Sequence, residues 1–575
     1  MRSSTGTPQG ARKPWTLSTE GLVLGVCAYF IAVCNHSFWS SAMTDRLPSD
    51  PGTWRFGICV FVLLVALHFL ALCVVASRRS TKPLLILLLV CNGFATYFMG
   101  KYSVFLDPTM LRNLLHTDVG EARDLLAWDM LIHFAWQAAI PIWLVWRTPL
   151  RERSWRSATA WRLGSMGLAL AVGTGVFLAV SQDLSSLMRS NKSMRYLITP
   201  GNYVYSLARV ATADAVNAAK PLVPIGTDAV AGPAWTGRSR PLLFVLVVGE
   251  TARAMNWGLN GYARQTTPEL AALDVVNFSD VGSCGTNTAT SLPCMFSRIG
   301  RRDYDEDRIR GEESLLHVVH RAGFNVQWRD NQSGCKGVCD GLPSQKMVDT
   351  PDPALCSGRE CMDEILLKGL ADEVADGKGN HLIVLHQMGS HGPAYHRRSP
   401  ENFKRFKPTC DTAELRKCTT EAVVNSYDNS IAYTDHVLAD AIRFLQSQSA
   451  RFDTALLYVS DHGESLGEKN LFLHGLPYAI APVQQTQVPM VMWLSPSFAD
   501  SRRVDLACLR SSATQRATHD NLFHTMLGLL DVQTSVYEPA LDLVKSCRAT
   551  ARTAGKSGLI PLASPVHDEA TSALP

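Results

Sequence analysis

The chain has 575 residues, which is too long for one hydrophobic core and indicates two or three domains. The overall composition is ordinary, with 46% apolar residues, 18% charged residues and a formal net charge of +4, and no nucleic acid partner is expected. This average conceals two unlike parts, because long apolar runs dominate the first 182 residues and the remainder resembles a soluble domain.

Five stretches of the first part lack Lys, Arg, Asp and Glu over lengths that suit a membrane span. They are residues 21–41, 56–77, 83–100, 130–146 and 163–182. A helix needs about 20 mainly apolar residues to cross a bilayer, and the third and fourth runs are short or contain polar residues. One such run could be a buried core helix, but five in series predict a transmembrane domain over residues 1–182.

Basic residues in the short loops predict the orientation of this domain. The N-terminal tail and the loops after the second and fourth runs contain eleven Lys and Arg residues, against five in the two alternate loops. The positive-inside rule therefore places the N-terminus inside. After an odd number of spans, the chain beyond residue 182 lies outside.

Cysteine spacing supports an outside location independently. Ten of the fifteen cysteines lie in the second part. They occur as Cys284/Cys294, Cys335/Cys339, Cys356/Cys361 and Cys410/Cys418, followed by the more widely spaced Cys508 and Cys547. Cys335 and Cys339 could be half of a zinc knuckle, but scattered pairs without a matching partner motif fit disulfides in an oxidising compartment better.

The second part is predicted to contain one catalytic domain over residues 241–548. Residues 183–240 are predicted to link and bridge the two domains, and their last twenty residues are rich in Pro, Gly and small side chains. From residue 242, short apolar runs alternate with helix-like segments, which predicts a mainly parallel sheet covered by helices on both faces. Residues 549–575 are rich in Ala, Ser, Thr and Pro and are predicted to be disordered.

Polar residues follow three of the predicted strands. These strands run into Gly249-Glu250-Thr251, into the segment from His386 to Pro393, and into Ser460-Asp461-His462, with His474 twelve residues beyond His462. Functional sites of open α/β sheets collect beyond the carboxyl ends of strands. Carboxylates and imidazoles are zinc ligands. One Asp-His pair would fit a capped turn equally well, but three clusters predict a metal site.

A fourth element, residues 283–295, is crowded with hydroxyl groups. A hydroxyl at a helix N-terminus lies beside backbone N–H groups that attract an anion. Coordination to zinc would activate such a hydroxyl as a nucleophile. The alternative is that these residues only cap a helix, and spacing alone does not choose among Thr286, Thr288, Thr290 and Ser291.

Three polar residues of the outer loop 101–129, Asn113, Thr117 and Glu121, fall at positions i, i+4 and i+8. If the loop is helical, they share one face. On spacing alone, a solvated helix face is the simpler interpretation.

Several motifs together resemble one known family. The sequences CGTNTATSLPCMFS, VVGETAR, SHGP and SDHGESLGE followed by LFLHG are similar to those of phosphoethanolamine–lipid A transferases. The resemblance extends from the apolar runs to residue 545. It implies a five-helix transmembrane domain joined to an α/β/α domain of the alkaline-phosphatase/sulfatase-like superfamily, with a mainly parallel sheet.

The resemblance also implies roles for individual residues. The zinc ligands would be Glu250, Thr288, Asp461 and His462, with Thr288 as the nucleophile. His391 and His474 would lie near the phosphoryl group, to bind a second zinc or to protonate the leaving group. The donor-binding positions would be Ser333, Lys336, Asn113, Thr117 and Glu121, which reverses the interpretation of the outer-loop trio as a solvated face. The four close cysteine pairs agree with the disulfides of the family, and nothing carries over for Cys508 and Cys547.

The predicted function is zinc-dependent transfer of phosphoethanolamine from phosphatidylethanolamine to lipid A or a core sugar of lipopolysaccharide, through a covalent intermediate on Thr288. The enzyme would be a multi-pass monomer of the bacterial inner membrane with a cytoplasmic N-terminus and a periplasmic catalytic domain. Adding an ammonium group to an anionic surface would weaken the binding of cationic peptides such as polymyxin.

The alternatives are a phosphoglycerol transferase of the lipoteichoic-acid-synthase type, a sulfatase, in which Arg would replace Met295, and a metal-binding scaffold without a nucleophile.

Overall fold

The computed structural model describes residues 16–548 except 45, 116, 118–121, 123–124, 191, 219–220, 236–237, 239, 359 and 377. The described chain has a helical N-terminal region and an α/β C-terminal region. Glu121 and the predicted disordered tail 549–575 lie outside the described residues.

Apolar helices form the N-terminal region. Their bounds are α1 Thr19–Tyr29, α2 His36–Met43, α3 Pro51–Val75, α4 Thr81–Tyr102, α5 Pro108–Leu115, α6 Trp128–Phe134, α7 Ile140–Arg147, α8 Trp155–Ser190 and α9 Gly201–Ala218. α3 packs along α8, and α4 packs against α6 and α7.

The number of membrane spans differs from the sequence prediction. Within the described residues, three helices are long and apolar enough to cross a membrane: Pro51–Val75, Thr81–Tyr102 and Trp155–Ser185. Thr19–Cys34 and His36–Met43 pass this test only as a pair that is bent by 58°. The fourth predicted run, 130–146, is divided among α6, a five-residue π-helical segment and α7. The structure therefore contains three or four candidate spans, and the predicted count of five is not confirmed.

The C-terminal region is built on a mixed sheet of eight strands among the described residues. In chain order they are β1 Leu242–Gly249, β2 Val276–Gly282, β3 Asn325–Asp330, β4 Ser344–Lys346, β5 His381–His386, β6 Asp453–Ser460, β7 Gln487–Leu494 and β8 Ala517–Thr518. Their order across the sheet is β8-β2-β7-β6-β1-β5-β3-β4. Of these eight, only β7 runs antiparallel to its neighbours, so the predicted, mainly parallel sheet is confirmed.

Helices cover both faces of this sheet. They are α10 Pro268–Ala271, α11 Thr288–Met295, α12 Glu306–Gly311, α13 Leu315–Arg321, α14 Leu370–Glu373, α15 Thr420–Ser447, α16 Val483–Thr486, α17 Pro496–Arg502, α18 Leu506–Ser512 and α19 Asp520–Leu529. Successive side chains of a strand point to opposite faces. Phe244 and Leu246 of β1 accordingly join one apolar core, and Val245 and Val247 join another. The domain is therefore an α/β/α sandwich.

Three pairs of two-residue antiparallel strands complete the region. They are Val230–Ala231 with Val532–Gln533, Cys356–Ser357 with Glu360–Cys361, and Ser465–Leu466 with Phe472–Leu473. The last pair turns the chain so that His474, the next residue, comes back beside His462.

The predicted bridging segment 183–240 contacts both regions. Its helix α9 packs on α5. Further along, Val223 donates its backbone N–H to the carbonyl oxygen of Gly311 over 2.8 Å. The two regions also meet directly, because α5 packs against α11 and Arg112 forms an ion pair with Glu306. The domain boundaries at 182 and 240 stay predictions.

The structure contains the four predicted disulfides and a fifth. The bonds join Cys284 to Cys294, Cys335 to Cys339, Cys356 to Cys361, Cys410 to Cys418 and Cys508 to Cys547. The free cysteines of the described chain all lie in the apolar helices or the segment between them. This distribution fits an oxidising environment around the C-terminal region.

Candidate active site

Three side chains of the type that bind metals meet at the carboxyl edge of the sheet. Glu250 follows β1, and Asp461 and His462 follow the neighbouring strand β6. The parallel register pairs Gly249 with Ser460, so the residues that follow these two emerge side by side. One ligand atom from each of the three residues lies within 4.8 Å of the others, and all three residues are buried.

Thr288 is the hydroxyl that reaches this cluster. It is the first residue of α11, and the side chain of Asn287 caps the helix by accepting a hydrogen bond from the backbone N–H of Thr290. Thr288 Oγ1 donates to Glu250 Oε2 over 3.0 Å and lies 3.5 Å from His462 Nε2. The nucleophile implied by the family resemblance therefore lies in contact with two of the implied zinc ligands.

Two of the other candidate hydroxyls have different roles. Thr286 Oγ1 donates to the backbone carbonyl of Leu476, and Ser291 Oγ donates to that of Asp461. Both bonds are to neutral backbone acceptors and tie the loop to its surroundings. The structure thus distinguishes hydroxyls that spacing alone left equivalent.

The donor set of the cluster fits a divalent cation. His462 Nδ1 lies 2.9 Å from the carbonyl oxygen of Gly463, which can only accept, so Nδ1 is the donor of this bond and Nε2 is the ring nitrogen that faces the cluster. Nε2 lies 3.4 Å from Glu250 Oε1 and 3.3 Å from Asp461 Oδ2. Asp461 Oδ2 accepts no hydrogen bond from any described residue. Two carboxylates, an imidazole nitrogen and a hydroxyl make up an oxygen–nitrogen set of the kind that binds zinc.

The charged groups of the cluster strongly shift the pKa values of their neighbours. Burial and the neighbouring charge of Glu250 raise the pKa of Asp461 to about 7. Burial opposes the protonation of His462, but the carboxylates of Asp461 and Glu250 outweigh it and raise the pKa of His462 to about 10. Buried anionic oxygens this close together are stabilised by positive charge placed between them.

Two further histidines lie beside the cluster. The ring of His474 is centred 4.3 Å from that of His462 and 5.6 Å from that of His391. His474 Nδ1 lies 3.5 Å from a carboxyl oxygen of Glu464, which the sequence analysis did not single out although it belongs to the SDHGES motif. Burial raises the pKa of Glu464 to about 8. The structure therefore adds a buried carboxyl group to the predicted histidine pair.

An apolar cavity of about 520 Å³ opens between the two regions of the molecule. Its walls come from α4, α5 and α9 on one side and from His391 and His474 with their neighbours on the other. Asn113 and Thr117 also line it. α5 ends at Leu115, and the hydroxyl of Thr117 donates to the carbonyl oxygen of Asn113, four residues earlier. Since Glu121 lies outside the described residues, the predicted stripe stays a prediction.

Ser333 and Lys336 lie in the loop that follows β3. Lys336 Nζ donates to Ser333 Oγ over 2.6 Å. At the start of this loop, Asp330 accepts a hydrogen bond of 2.8 Å from His386 Nδ1 at the end of β5. The pair therefore belongs to the same edge of the sheet as Glu250, and its contact with a donor stays a prediction.

Comparison with known proteins covers both regions. Residues 64–215 match the family model described as phosphoethanolamine transferase EptA/EptB, and residues 243–532 match the Sulfatase model. The chain is 39% identical over 541 residues to phosphoethanolamine transferase EptA of Escherichia coli K12, which covers 91% of this chain and 96% of that protein. It is 38% identical over 524 residues to phosphatidylethanolamine transferase Mcr-1 of Escherichia coli, covering 89% and 94%. This chain belongs to the phosphoethanolamine transferase family.

The structure of one relative agrees with this assignment. The integral membrane protein lipooligosaccharide phosphoethanolamine transferase A from Neisseria meningitidis superposes with a TM-score of 0.88 at 36% identity, covering 93% of this chain and 100% of that one. The helical region of this transferase is therefore its membrane domain, and the α/β/α region is its soluble domain. Met295, which stands where a sulfatase motif would have Arg, is buried in an apolar core.

Asp363 is a second buried carboxylate beside the active site of the transferase that the sequence analysis did not single out. Asp363 accepts hydrogen bonds of 2.8 Å from the backbone N–H groups of Met388 and Gly389. A Cβ on Gly389, whose φ is +56°, would lie 2.5 Å from the carbonyl oxygen of Glu250. The next residue, Ser390, donates its N–H to that same carbonyl over 3.0 Å. Asp363 thus holds the loop that packs against a candidate zinc ligand.

Proposed function

We propose that this transferase moves phosphoethanolamine from phosphatidylethanolamine to lipid A or a core sugar of lipopolysaccharide, through a covalent intermediate on Thr288. The contact of Thr288 with Glu250 and His462, next to a cavity that both domains line, is the observation that supports it most directly. The relative from Neisseria meningitidis is named for a lipooligosaccharide, an acceptor of the same chemical class.

Zinc dependence is part of this proposal. One Zn²⁺ ion would be held by Glu250, Thr288, Asp461 and His462, whose buried oxygen and nitrogen atoms converge at the sheet edge. When bound, zinc supplies a Lewis acid that lowers the pKa of the Thr288 hydroxyl and offsets charge on the phosphoryl oxygens. A second ion beside His391 and His474 stays a prediction.

The first half-reaction places the headgroup on Thr288. Oγ1 attacks the phosphorus of phosphatidylethanolamine, and an O–P bond forms while the P–O bond to diacylglycerol breaks. The hydroxyl proton leaves toward Glu250 Oε2, its acceptor in the structure. His391 or His474 gives a proton to the departing diacylglycerol oxygen.

The second half-reaction releases the headgroup to the acceptor. An acceptor oxygen attacks the phosphorus of the intermediate and gives any proton that it carries to the histidine that protonated diacylglycerol. The bond from phosphorus to Thr288 Oγ1 breaks, and Oγ1 takes back the proton that Glu250 accepted. Lys336 offsets negative charge on the phosphoryl oxygens in both steps. Ser333, Asn113, Thr117 and Glu121 bind the ethanolamine phosphate group of the donor, and the apolar cavity takes part of its acyl chains.

The membrane domain brings the active site to its substrates. Both are lipids, so a catalytic domain tethered at the bilayer meets each of them at a high effective concentration. We propose a monomer with five spans in the bacterial inner membrane, a cytoplasmic N-terminus and a periplasmic catalytic domain. The excess of basic residues in alternate loops and the disulfides of the soluble domain support this orientation.

Trapping the intermediate tests the proposal. The purified full-length protein is incubated with phosphatidylethanolamine in the absence of acceptor, and its peptides are analysed by mass spectrometry. We expect a phosphoethanolamine adduct on Thr288, which differs in mass from the adduct of a phosphoglycerol transferase. The variant Thr286→Ala serves as a control that keeps the adduct. An adduct on another residue, or a phosphoglycerol adduct, would show that the proposal is wrong.

A further inference from the structure

A second cavity also borders α4. It has a volume of about 380 Å³ and is lined by polar groups of three segments: Tyr97 and Lys101 of α4, Asp129 and His133 of α6, and Glu414 and Arg416 of the soluble domain. The apolar cavity is instead lined by residues 94, 98 and 102 of α4. The two cavities share no residue of α4.

Lys101 contacts polar groups from each of the three segments that line the polar cavity. Its Nζ donates to the hydroxyl of Tyr97 over 2.6 Å and to Asp129 Oδ2 over 2.8 Å, and it lies 3.7 Å from Glu414 Oε2. The side chain of Lys101 is only 10% exposed. Ionisable groups in membrane segments are costly, so a paired group of this kind indicates a functional site.

Two exposed cations extend this cavity towards solvent. Arg416 and Lys417 lie in the loop closed by the Cys410–Cys418 disulfide, and Lys417 pairs with Glu414 over 2.7 Å. The cavity thus contains three Lys or Arg side chains against two carboxylates, together with His133. An excess of cationic donors at the end of a membrane helix suits the phosphate group of a lipid.

One short segment connects the polar cavity with the active site. Arg416 Nη2 donates to the carbonyl of Asn470 over 3.4 Å, and its guanidinium lies 5.5 Å from the ring centre of Phe472. Two residues further, His474 stands beside His462 and lines the apolar cavity. A headgroup in the polar cavity would therefore lie one hairpin away from the residues that handle the phosphoryl group.

We propose that the polar cavity binds a phosphate of the acceptor glycolipid, while the apolar cavity holds the donor. This assignment rests on the proposed function. A phosphate held by Lys101, Arg416 and Lys417 anchors the acceptor at the membrane surface, and a different oxygen of its headgroup reaches the phosphorus on Thr288. Donor and acceptor thus occupy separate cavities beside α4.

Steady-state kinetics of the full-length protein in nanodiscs tests this inference, with phosphatidylethanolamine as donor and lipid A as acceptor. The double variant Arg416→Gln/Lys417→Gln removes both exposed cations. We expect its KM for lipid A to rise about tenfold, with kcat unchanged. The release of diacylglycerol in the absence of acceptor should also be unchanged. Charge reversal to Glu at both positions should raise the KM further.

A matched control removes two exposed cations beside another disulfide. Arg510 and Lys545 flank the Cys508–Cys547 bond and are exposed. The variant Arg510→Gln/Lys545→Gln should keep the wild-type KM for lipid A. An equal rise of the KM in both double variants would show a general effect of surface charge and overturn the inference.

Three further outcomes separate the hypotheses. An unchanged KM in the Arg416/Lys417 variants, with diacylglycerol release intact, would overturn the cavity assignment and leave the proposed function standing. If the wild-type protein releases no diacylglycerol from the donor, the proposed function itself fails. Adding phosphatidylglycerol to the nanodiscs should leave the KM for lipid A of the wild type nearly unchanged. A tenfold rise would assign the cavity to bulk anionic phospholipid instead and overturn the inference.

Discussion

The active-site cluster and the apolar cavity are built in different ways. Glu250, Asp461 and His462 emerge from two adjacent parallel strands, so their proximity follows from the pairing register of one sheet. The cavity is lined by the membrane helices α4, α5 and α9 and by loops of the soluble domain, and it exists only where the two domains meet. The chemistry thus depends on one sheet edge, and access of the lipid depends on how the domains pack together.

The two sites also differ in the interactions that stabilise them. The cluster gathers buried charges, which are costly unless they are paired or bind a cation. The cavity is enclosed largely by apolar side chains. A change in the volume of such a side chain costs less free energy than leaving a buried charge without its partner. Substitutions in the cluster should therefore affect the reaction rate or metal content, and those in the cavity should affect the KM for the donor.

The largest expected effect is that of removing the nucleophile. Thr288→Ala should lower the rate of lipid A modification by about 10⁴-fold or more, because the Thr288 hydroxyl contacts Glu250 and His462 whereas those of Thr286 and Ser291 donate to backbone carbonyls. The product is measured by mass spectrometry of lipid A. Thr286→Ala, in the same loop, should retain most of the activity. A Thr288→Ala enzyme with a tenth of the wild-type rate would contradict the assignment.

The next largest effect concerns the metal. Asp461→Asn removes a buried anionic ligand, and we expect the zinc content of the purified protein to fall to near zero and the rate to fall about 10³-fold. Elemental analysis by mass spectrometry gives the zinc content. Asp280→Asn, a change of the same type on β2, should leave both values unchanged. Full zinc occupancy in Asp461→Asn would mean that this residue is not a ligand.

A smaller loss of rate is expected for a residue that acts on the cluster indirectly. Asp363→Asn keeps the size of the side chain but loses one of the two acceptors for the loop N–H groups of Met388 and Gly389. We expect kcat to fall about tenfold, with normal zinc content. Asp352→Asn, at an exposed ion pair with Lys368, is the matched control. A loss of zinc in Asp363→Asn would show that Asp363 supports metal binding and not only the loop.

The smallest effect should appear in the cavity. Ala95→Phe places a larger side chain on the face of α4 that lines it, and we expect the KM for phosphatidylethanolamine to rise about tenfold while kcat and zinc content stay unchanged. Leu87→Phe, at an exposed position of the same helix, is the control. A change in kcat with constant KM would contradict the separation of the two sites.

Several features of this protein are predictable from local sequence patterns. The apolar runs predict the membrane domain, and the alternation of strand-like and helix-like segments predicts the sheet. The position of Glu250 and Asp461 directly after two strands is sufficient to place them at one edge. The close cysteine pairs predict four disulfides that the structure contains. These patterns are informative because strands, spans and short loops depend on residues that are near in sequence.

The remaining features depend on contacts between distant segments. Whether a run crosses the membrane depends on bends such as that between Cys34 and His36, and the predicted five spans are not confirmed. Residue spacing left the hydroxyls of residues 283–295 equivalent, and only the family resemblance indicated Thr288. The position of α11 against β1 and β6 is what brings its hydroxyl to the cluster.

Sequence alone determined which residues could perform the chemistry, since residue types and strand ends are local properties. Only the tertiary structure decided which hydroxyl meets the cluster, that Asp363 supports its loop, and that two cavities flank α4. The physical reason is that each of these depends on segments brought together by packing, and no pattern of neighbouring residues specifies such a contact.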